Sequence, residues 1–173
     1  MIYLIRHGQT DWNAEGKNQG HTDIELNKNG VMQASELATQ FKNINLDIVF
    51  SSPLKRASKT AEIIYNDKII YDCRIMERCN GELEGQKNTN TLIDFYDPND
   101  LRYNVEPLLL FRKRINDFWD DVKKYYSGKD ILVVTHAGVA TYSQAYFYGE
   151  PKDGNYLNYK LGNGNVLYFE NKI

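Results

Sequence analysis

The stretch Met1-Ile2-Tyr3-Leu4-Ile5-Arg6-His7-Gly8 joins a short apolar run to a cation, an imidazole and a glycine. Its apolar residues are typical of strands, so we predict a buried strand from Ile2 to Ile5. Open α/β sheets bind their ligands outside the carboxyl ends of their strands. Arg6 and His7 are therefore predicted to lie at the ligand-binding edge of such a sheet, where Gly8 lets the chain turn sharply.

A second stretch has the same arrangement. Ile131-Leu132-Val133-Val134 has the composition of a buried strand and runs directly into Thr135-His136-Ala137-Gly138. Arg56 lies in the first turn of a predicted helix, where a cation gains nothing from the helix dipole and is better explained by a bound anion. Two guanidinium groups and two imidazoles at one edge suit a dianionic phosphoryl group. One of the two histidines would then act as nucleophile or base.

The composition of the chain is that of an ordinary globular protein. Its 173 residues suit one domain, and 42% of them are hydrophobic and 25% charged. A net charge of -2 gives no bulk attraction to nucleic acid or to anionic membranes. The apolar runs are far shorter than a membrane span and no signal peptide is recognisable, so we predict a cytoplasmic protein. Cys73 and Cys79 are predicted to be free thiols.

Helical and strand patterns alternate along the chain. Asn27 is predicted to cap a helix that ends near Asn43, and Ser52 to cap another helix with Pro53 at its first position. A long amphipathic helix is predicted from Leu108 onwards. Other strands are predicted at residues 46–50, 69–71 and 166–169, a helix at 139–148 and a turn at 97–100. This order predicts an α/β fold, with a mainly parallel central sheet and helices on both faces, in a single domain over residues 1–173.

Five stretches in this order resemble the signature of one known family. They are Arg6-His7-Gly8, continued by Gln9-Thr10 and Asn13; Gln19-Gly20 with Asp23; Ser51-Ser52-Pro53-Leu54-Lys55-Arg56-Ala57; Glu77 before Gly81-Glu82-Leu83-Glu84-Gly85; and Thr135-His136-Ala137-Gly138. Over nearly its whole length the sequence resembles the histidine phosphatase superfamily of phosphoglycerate mutase-like enzymes. The resemblance implies a phosphoglycerate mutase-like fold and phosphoryl-transfer chemistry.

The resemblance also implies a role for each residue of the predicted phosphate pocket. His7 would attack phosphorus and carry the phosphoryl group as a phosphohistidine before passing it to water. The carbonyl of Gly8 would accept a hydrogen bond from the other ring nitrogen. Glu77 would protonate the leaving oxygen and later activate the water. The phosphoryl oxygens would be held by Arg6, Arg56 and His136. Neither a metal nor another cofactor is implied.

Six further residues are predicted to bind the substrate: Gln9, Thr10, Asn13, Gln19, Gly20 and Ala137. Glu82 and Glu84 are alternatives to Glu77 as the general acid. We expect both to be solvated loop carboxylates, because Glu77 stands where the family places its acid. His21, the third histidine, lies in a predicted loop and is expected to be exposed.

Three functions are weighed from the sequence. The first is a phosphatase of small phosphorylated metabolites, and the second is a cofactor-dependent phosphoglycerate mutase, an isomerase that uses the same phosphohistidine. The third, an inactive phospho-ligand binding module, would need a missing catalytic residue, and none is missing. The mutases of the family that this sequence resembles are longer chains, with extra cations that bind their substrate. In this sequence, residues 86–104 contain only two cations, Lys87 and Arg102. We therefore predict a phosphatase, as a monomer or a homodimer, and leave the identity of the metabolite open.

Overall fold

The computed structural model describes residues 1–87, 97, 100 and 102–170 of the chain. Its strands are β1 (Ile2–Arg6), β2 (Ile48–Ser51), β3 (Ile69–Tyr71), β4 (Ile131–Thr135) and β5 (Val166–Phe169). Its α-helices are α1 (Asp11–Ala14), α2 (Lys28–Phe41), α3 (Lys55–Ile64), α4 (Leu108–Tyr125) and α5 (Ala137–Tyr148). Short 3₁₀ helices lie at Cys73–Ile75, Gly81–Leu83 and Tyr156–Tyr159.

The five strands form one sheet in the order β3-β2-β4-β1-β5. The first four strands along the chain run parallel to one another, and β5 pairs antiparallel with β1. Strand β4 is buried at every position, because it has a neighbour on each side and helices over each face. The predicted α/β fold with a mainly parallel sheet is confirmed.

Alternate residues of the sheet face two separate layers of helices. Leu4 and Val133 belong to a cluster that includes the apolar side chains of α4 and α5. Leu132 and Val134 belong to a second cluster with the apolar side chains of α2 and α3. This division follows from the two-residue period of a strand. Helices therefore cover both faces of the sheet, as predicted, and the carboxyl edge of the parallel strands is where a site can form.

The start of α3 corrects one prediction. Ser52 does not cap this helix, because α3 begins at Lys55 with Leu54 in the cap position. Ser52 Oγ accepts a long hydrogen bond from the Leu54 amide (3.3 Å) and lies 2.8 Å from Nε2 of His136. The hydroxyl of Ser52 therefore contacts His136 at the carboxyl edge of the sheet and does not cap α3. Arg56 still lies in the first turn of α3, as predicted.

The other predicted elements lie close to the observed ones. Asn27 caps α2 by accepting a hydrogen bond from a first-turn amide (2.9 Å). Strand β2 begins at Ile48 instead of residue 46, because the carboxylate of Asp47 accepts from the amide of Asp130 (2.8 Å) where the ladder starts. Helix α5 begins at Ala137, two residues earlier than predicted. The turn predicted at residues 97–100 includes residues outside the described part of the chain. Among the described residues, no helix combines the length and the apolar composition needed to cross a bilayer.

Candidate active site

The carboxyl ends of β1 and β4 lie side by side in the sheet. Arg6 pairs with Thr135 in the parallel register, and the amide of His7 donates to the carbonyl of Thr135 (2.9 Å). His7 follows β1 directly and His136 follows β4 directly, and the centroids of their rings are 5.1 Å apart. The sheet thus brings the two predicted histidines together.

His7 is almost wholly buried, with 2% of its surface exposed. Its Nδ1 lies 2.7 Å from the carbonyl oxygen of Gly8, as the family resemblance implied. A carbonyl oxygen can only accept, so Nδ1 carries the hydrogen and Nε2 keeps its lone pair. Burial lowers the pKa of His7 well below its ordinary value, and the charges of Arg56 and Arg6 lower it further. The imidazole is therefore neutral at neutral pH, as a nucleophile must be.

Two arginines place positive charge beside this imidazole. Arg6 Nη1 donates to the carbonyl of Leu161 (2.7 Å). Arg56 is fully buried, with Nη2 donating to the carbonyl of Gly20 (2.7 Å) and Nη1 to that of Thr22 (3.0 Å). Burial lowers the pKa of Arg56 to about 10 and also lowers the pKa of Arg6. Both guanidinium groups remain cationic at neutral pH and can attract an anion.

His136 is fully buried and binds Ser52 through Nε2 (2.8 Å). Burial lowers the pKa of His136 well below its ordinary value, and the nearby charge of Arg56 adds to this. Its Nδ1 is buried and has no hydrogen-bond partner among the described residues. A buried polar atom left unpaired costs about 1–3 kcal/mol. A ligand oxygen bound at this nitrogen would remove that cost.

Glu77 brings a carboxylate into the same site. Its Oε1 accepts from the amide of Arg78 (2.9 Å), and its Oε2 accepts from the amide of Gly138 in the first turn of α5 (3.2 Å). Its negative charge opposes the fall in the pKa of both Arg6 and Arg56. The carboxyl group is therefore close to the two cations and is placed to exchange a proton with a bound molecule.

The two alternative acids differ from each other. Glu82 is exposed, as predicted. Glu84 is only partly exposed, and the prediction that it is solvated is wrong, because its oxygens accept hydrogen bonds from three backbone amides. Neither carboxylate is among the described residues that line the cavity of the site. His21 is exposed, as predicted, and its Nε2 lies 2.8 Å from the carbonyl of Glu77.

The site is a cavity of about 830 Å³, a size suited to a small metabolite. The predicted residues that line it are Arg6, His7, Asn13, Gln19, Gly20, Arg56, Glu77 and Ala137. Gln9, Thr10 and His136 are not among the lining residues that the structure describes. The amide of Gln9 bonds Gln33 of α2 (2.8 Å), and Thr10 caps α1. Both hold the loop after β1 in place, and their role in substrate binding stays a prediction.

Asn163 is a residue of the site that sequence reasoning did not select. Its Nδ2 donates to the carbonyl of His7 (3.1 Å) and to Oδ1 of Asn13 (3.1 Å). Asn13 Oδ1 also accepts from the amide and the hydroxyl of Thr10, which leaves the Asn13 amide nitrogen as a donor for a ligand. The sequence signal was the pair of glycines around Asn163, and such a pattern also occurs in ordinary turns. No group of three or more possible metal ligands occurs in the described ranges.

The sequence pattern of the histidine phosphatase superfamily (branch 1) matches residues 2–172. The chain belongs to the histidine phosphatase superfamily. Within it, a phosphatase of Bacillus subtilis, the uncharacterized PhoE, is 37% identical over 138 residues, which are 78% of this chain and 70% of that protein.

Two solved phosphatase structures have a similar fold. The structure of a phosphoserine phosphatase mutant from Entamoeba histolytica, in complex with phosphoserine, has a TM-score of 0.83 and 32% identity, covering 95% of this chain and 87% of that chain. The alpha-ribazole phosphatase from Shigella flexneri has a TM-score of 0.82 and 25% identity, covering 99% of this chain and 91% of that chain. These relatives are named as phosphatases, so the prediction of a phosphatase over a mutase is confirmed.

Proposed function

We propose that this histidine phosphatase hydrolyses the phosphate monoesters of small metabolites, with His7 as the nucleophile. One observation carries the proposal, the hydrogen bond between Nδ1 of His7 and the carbonyl of Gly8 (2.7 Å). It fixes the tautomer in which Nε2 has a lone pair to donate. Arg6 and Arg56 supply two positive charges beside that nitrogen, in a cavity that fits a metabolite.

In the first step, Nε2 of His7 forms a bond to phosphorus while the ester bond between phosphorus and oxygen breaks. The electron pair of the broken bond goes to the leaving oxygen, which takes a proton from the carboxyl group of Glu77. Negative charge on the phosphoryl oxygens is stabilised by hydrogen bonds from Arg6, Arg56 and Nδ1 of His136. The products of this step are an alcohol and a phosphohistidine.

In the second step, a water molecule attacks the phosphorus of the phosphohistidine. The Glu77 carboxylate takes a proton from that water, so the carboxyl group returns to its starting state. The bond between Nε2 of His7 and phosphorus breaks, and its electron pair returns to the imidazole. Inorganic phosphate leaves and the enzyme is restored.

The remaining features of the proposal follow from charge and geometry. Arg6 and Arg56 place positive charge in the pocket of a chain whose net charge is -2, which suits a small anion and not nucleic acid or a membrane surface. All five proposed catalytic residues come from one chain, so a monomer is sufficient and a homodimer would hold two sites. The guanidinium groups of Arg6 and Arg56 supply the positive charge that a metal supplies in other phosphoryl-transfer sites. We further propose that the protein is cytoplasmic, forms one domain over residues 1–173 and works without a metal.

The test is to follow turnover and covalent labelling together, in buffer with EDTA. The wild-type protein is incubated with a panel of metabolite phosphates, and the best substrate is then used with radioactive phosphorus. We expect phosphate release and an acid-labile label on the wild type. His7→Ala should lose both, because it lacks the nitrogen that bonds to phosphorus.

Two outcomes would contradict this function. A label that persists in His7→Ala would mean that another residue is the nucleophile. Interconversion of 3- and 2-phosphoglycerate faster than phosphate release would assign the protein to the mutases instead.

A further inference from the structure

Glu84 directs its carboxylate at the loop that holds Arg56, and its side chain is only partly exposed. Its Oε1 accepts from the amides of His21 (2.9 Å) and Asn80 (3.0 Å). Its Oε2 accepts from both the amide (2.8 Å) and the hydroxyl (2.5 Å) of Thr22. With the thiol of Cys79 (3.7 Å), five donors thus hold one side chain that neither lines the cavity nor forms an ion pair within the described residues.

Glu84 is joined to Arg56 through the backbone of residues 20–22, at one point through a single peptide group. The peptide between Gly20 and His21 donates its N–H to Glu84 and accepts from Nη2 of Arg56 at its carbonyl (2.7 Å). Thr22 donates its N–H, from the preceding peptide group, to Glu84, and its carbonyl, in the next peptide group, accepts from Nη1 of Arg56 (3.0 Å). A chain of hydrogen bonds therefore runs from the carboxylate, through the backbone, to the guanidinium. Bonds in such a chain polarise and strengthen one another.

This arrangement stabilises the charge of Arg56 without occupying the donors that a phosphate would need. Arg56 is fully buried, and an uncompensated buried charge is costly. A carboxylate in direct contact would offset that cost, but it would also occupy the donors that a phosphoryl group needs. Glu84 places a negative charge one peptide group away, and its charge adds to those of Glu77 and Asp23, which oppose the fall in the pKa of Arg56 more strongly. The guanidinium is stabilised and held in position while its outer edge stays available.

The contact with Gly20 shows how closely the carboxylate fits. A Cβ on Gly20 would lie 2.1 Å from Oε1 of Glu84, and Gly20 has a φ of 53°, a conformation that favours glycine. Burial alone would raise the pKa of Glu84, but the hydrogen bonds from Thr22, His21 and Asn80 outweigh it and leave that pKa below its ordinary value. Glu84 is therefore a fixed anion and does not act as the proton donor of the reaction.

We propose that Glu84 is a positioning residue that holds Arg56 for phosphate binding by way of the backbone of residues 20–22. The inference rests on the proposed function only in its use of Arg56 as a phosphate ligand. The loop of Glu84 also carries Asn80, whose amide shares Oε1 with that of His21. One carboxylate thus connects the loop beside the general acid to the loop beside the guanidinium.

The test compares Glu84→Gln with Glu82→Gln, a matched control from the same 3₁₀ turn whose side chain is exposed. Binding of inorganic phosphate is measured by calorimetry, and kcat/KM is measured with the best substrate. Glu84→Gln should weaken both by tenfold or more, because the amide loses the charge and presents a donor to a backbone N–H. Glu82→Gln should change neither by more than about twofold.

A double-mutant cycle separates this role from a merely structural one. Arg56→Met removes the guanidinium and keeps much of the buried stem. In the Arg56→Met background, Glu84→Gln should change phosphate binding by less than about threefold. Losses that multiply in full would overturn the proposal, since Glu84 would then act independently of Arg56.

Two further arms keep the result interpretable. Thr22→Val removes only the hydroxyl bond to Glu84, so it should weaken phosphate binding less than Glu84→Gln does. It provides the test if Glu84→Gln does not fold. A wild type that binds phosphate but hydrolyses none of the panel would contradict the proposed function while the binding cycle still tests Glu84. Unchanged phosphate binding in both Glu84→Gln and Thr22→Val would overturn the inference alone.

Discussion

One buried hydroxyl selects the tautomer of His136. Ser52 Oγ accepts from the amide of Leu54 (3.3 Å), and its own hydrogen can donate to Nε2 of His136 (2.8 Å), its other hydrogen-bond partner among the described residues. An imidazole that accepts at Nε2 carries its hydrogen on Nδ1. That Nδ1 is the buried atom without a partner in the described part of the chain. Ser52 thus makes His136 a donor suited to a phosphoryl oxygen, which can only accept.

We expect Ser52→Ala to release the tautomer of His136 and to lower kcat/KM by about tenfold. Ser51→Ala is the matched control, because its buried hydroxyl donates to a backbone carbonyl (2.9 Å) and does not touch the histidine. Each variant should lose about 0.5–1.5 kcal/mol of stability, the usual contribution of a hydrogen bond. Nitrogen NMR of labelled histidine should show a change at His136 for Ser52→Ala only. An unchanged tautomer would refute this role.

The general acid can be tested through the leaving group. Glu77 is held by two backbone amides, which fix the carboxyl without using a side chain of the pocket. A poor leaving group such as a sugar alkoxide needs a proton far more than a nitrophenolate does. Glu77→Gln should therefore slow the hydrolysis of alkyl phosphates by roughly 10²–10⁴-fold and that of aryl phosphates much less.

The measurement for Glu77→Gln is kcat/KM for both substrate classes, under conditions where chemistry limits the rate. Glu82→Gln, which removes an exposed carboxylate, should leave the ratio between the classes unchanged. An equal loss for alkyl and aryl phosphates in Glu77→Gln would assign Glu77 a structural role.

At the scale of elements, the loop after β1 is packed directly against the first turn of α2. A Cβ on Gly8 would lie 2.4 Å from the carbonyl oxygen of Gly30, and a Cβ on Gly30 would lie 2.1 Å from that of Gln9. Both neighbours are backbone atoms, which cannot rotate away as a side chain could. The two elements therefore approach as closely as they do because each contributes a glycine at the contact.

Gly30→Ala reverses the usual effect of this substitution in a helix. Alanine normally stabilises a helix by roughly 0.5–1 kcal/mol relative to glycine. Here we expect a loss of about 1–3 kcal/mol, the usual cost of overpacking, together with a fall in activity, because the loop that carries His7 must move. Urea unfolding and kcat/KM measure the two effects. Ser35→Ala, at an exposed position of α2, is the control, and a gain of stability in Gly30→Ala would contradict the contact.

Elements and residues with a local signal were predictable from the sequence. Arg6, His7 and His136 follow apolar runs directly, and a strand that ends at a polar group places that group at the edge of the sheet. Ser52 and Glu84 were not predictable in the same way, because their partners lie far away in sequence. Local propensity gives a helix cap for the first and a solvated carboxylate for the second. Only the fold shows which distant groups they touch.

At the scale of the whole molecule, the two histidines of the site make the stability of the fold depend on pH. His7 and His136 are buried beside cations, and both have pKa values lowered well below 6.5. In the unfolded chain each would titrate near 6.5. Below that pH the unfolded state binds protons that the folded state does not, so the free energy of unfolding falls as the pH falls.

We expect the unfolding free energy to be steady above pH 6.5 with respect to these two groups and to decrease below it. Each histidine should contribute a slope of up to about 1.4 kcal/mol per pH unit. Urea unfolding between pH 7.5 and 5 measures the slope. His7→Asn and His136→Asn should each reduce the slope of unfolding free energy against pH by the amount that corresponds to about one proton. A slope that stays the same in both variants would show that neither histidine is held neutral by the fold.

The order of strands has a consequence for how this enzyme is made. Strand β1, which ends at the nucleophile, lies between β4 (Ile131–Thr135) and β5 (Val166–Phe169). On the ribosome, β1 is synthesised more than a hundred residues before either neighbour exists. Until then the apolar side chains of β1 have no neighbouring strand to pair with. Pairing between strands so far apart in sequence is slow to form. Translation therefore produces the attacking imidazole more than a hundred residues before it produces His136 and the strand that places His136 beside it.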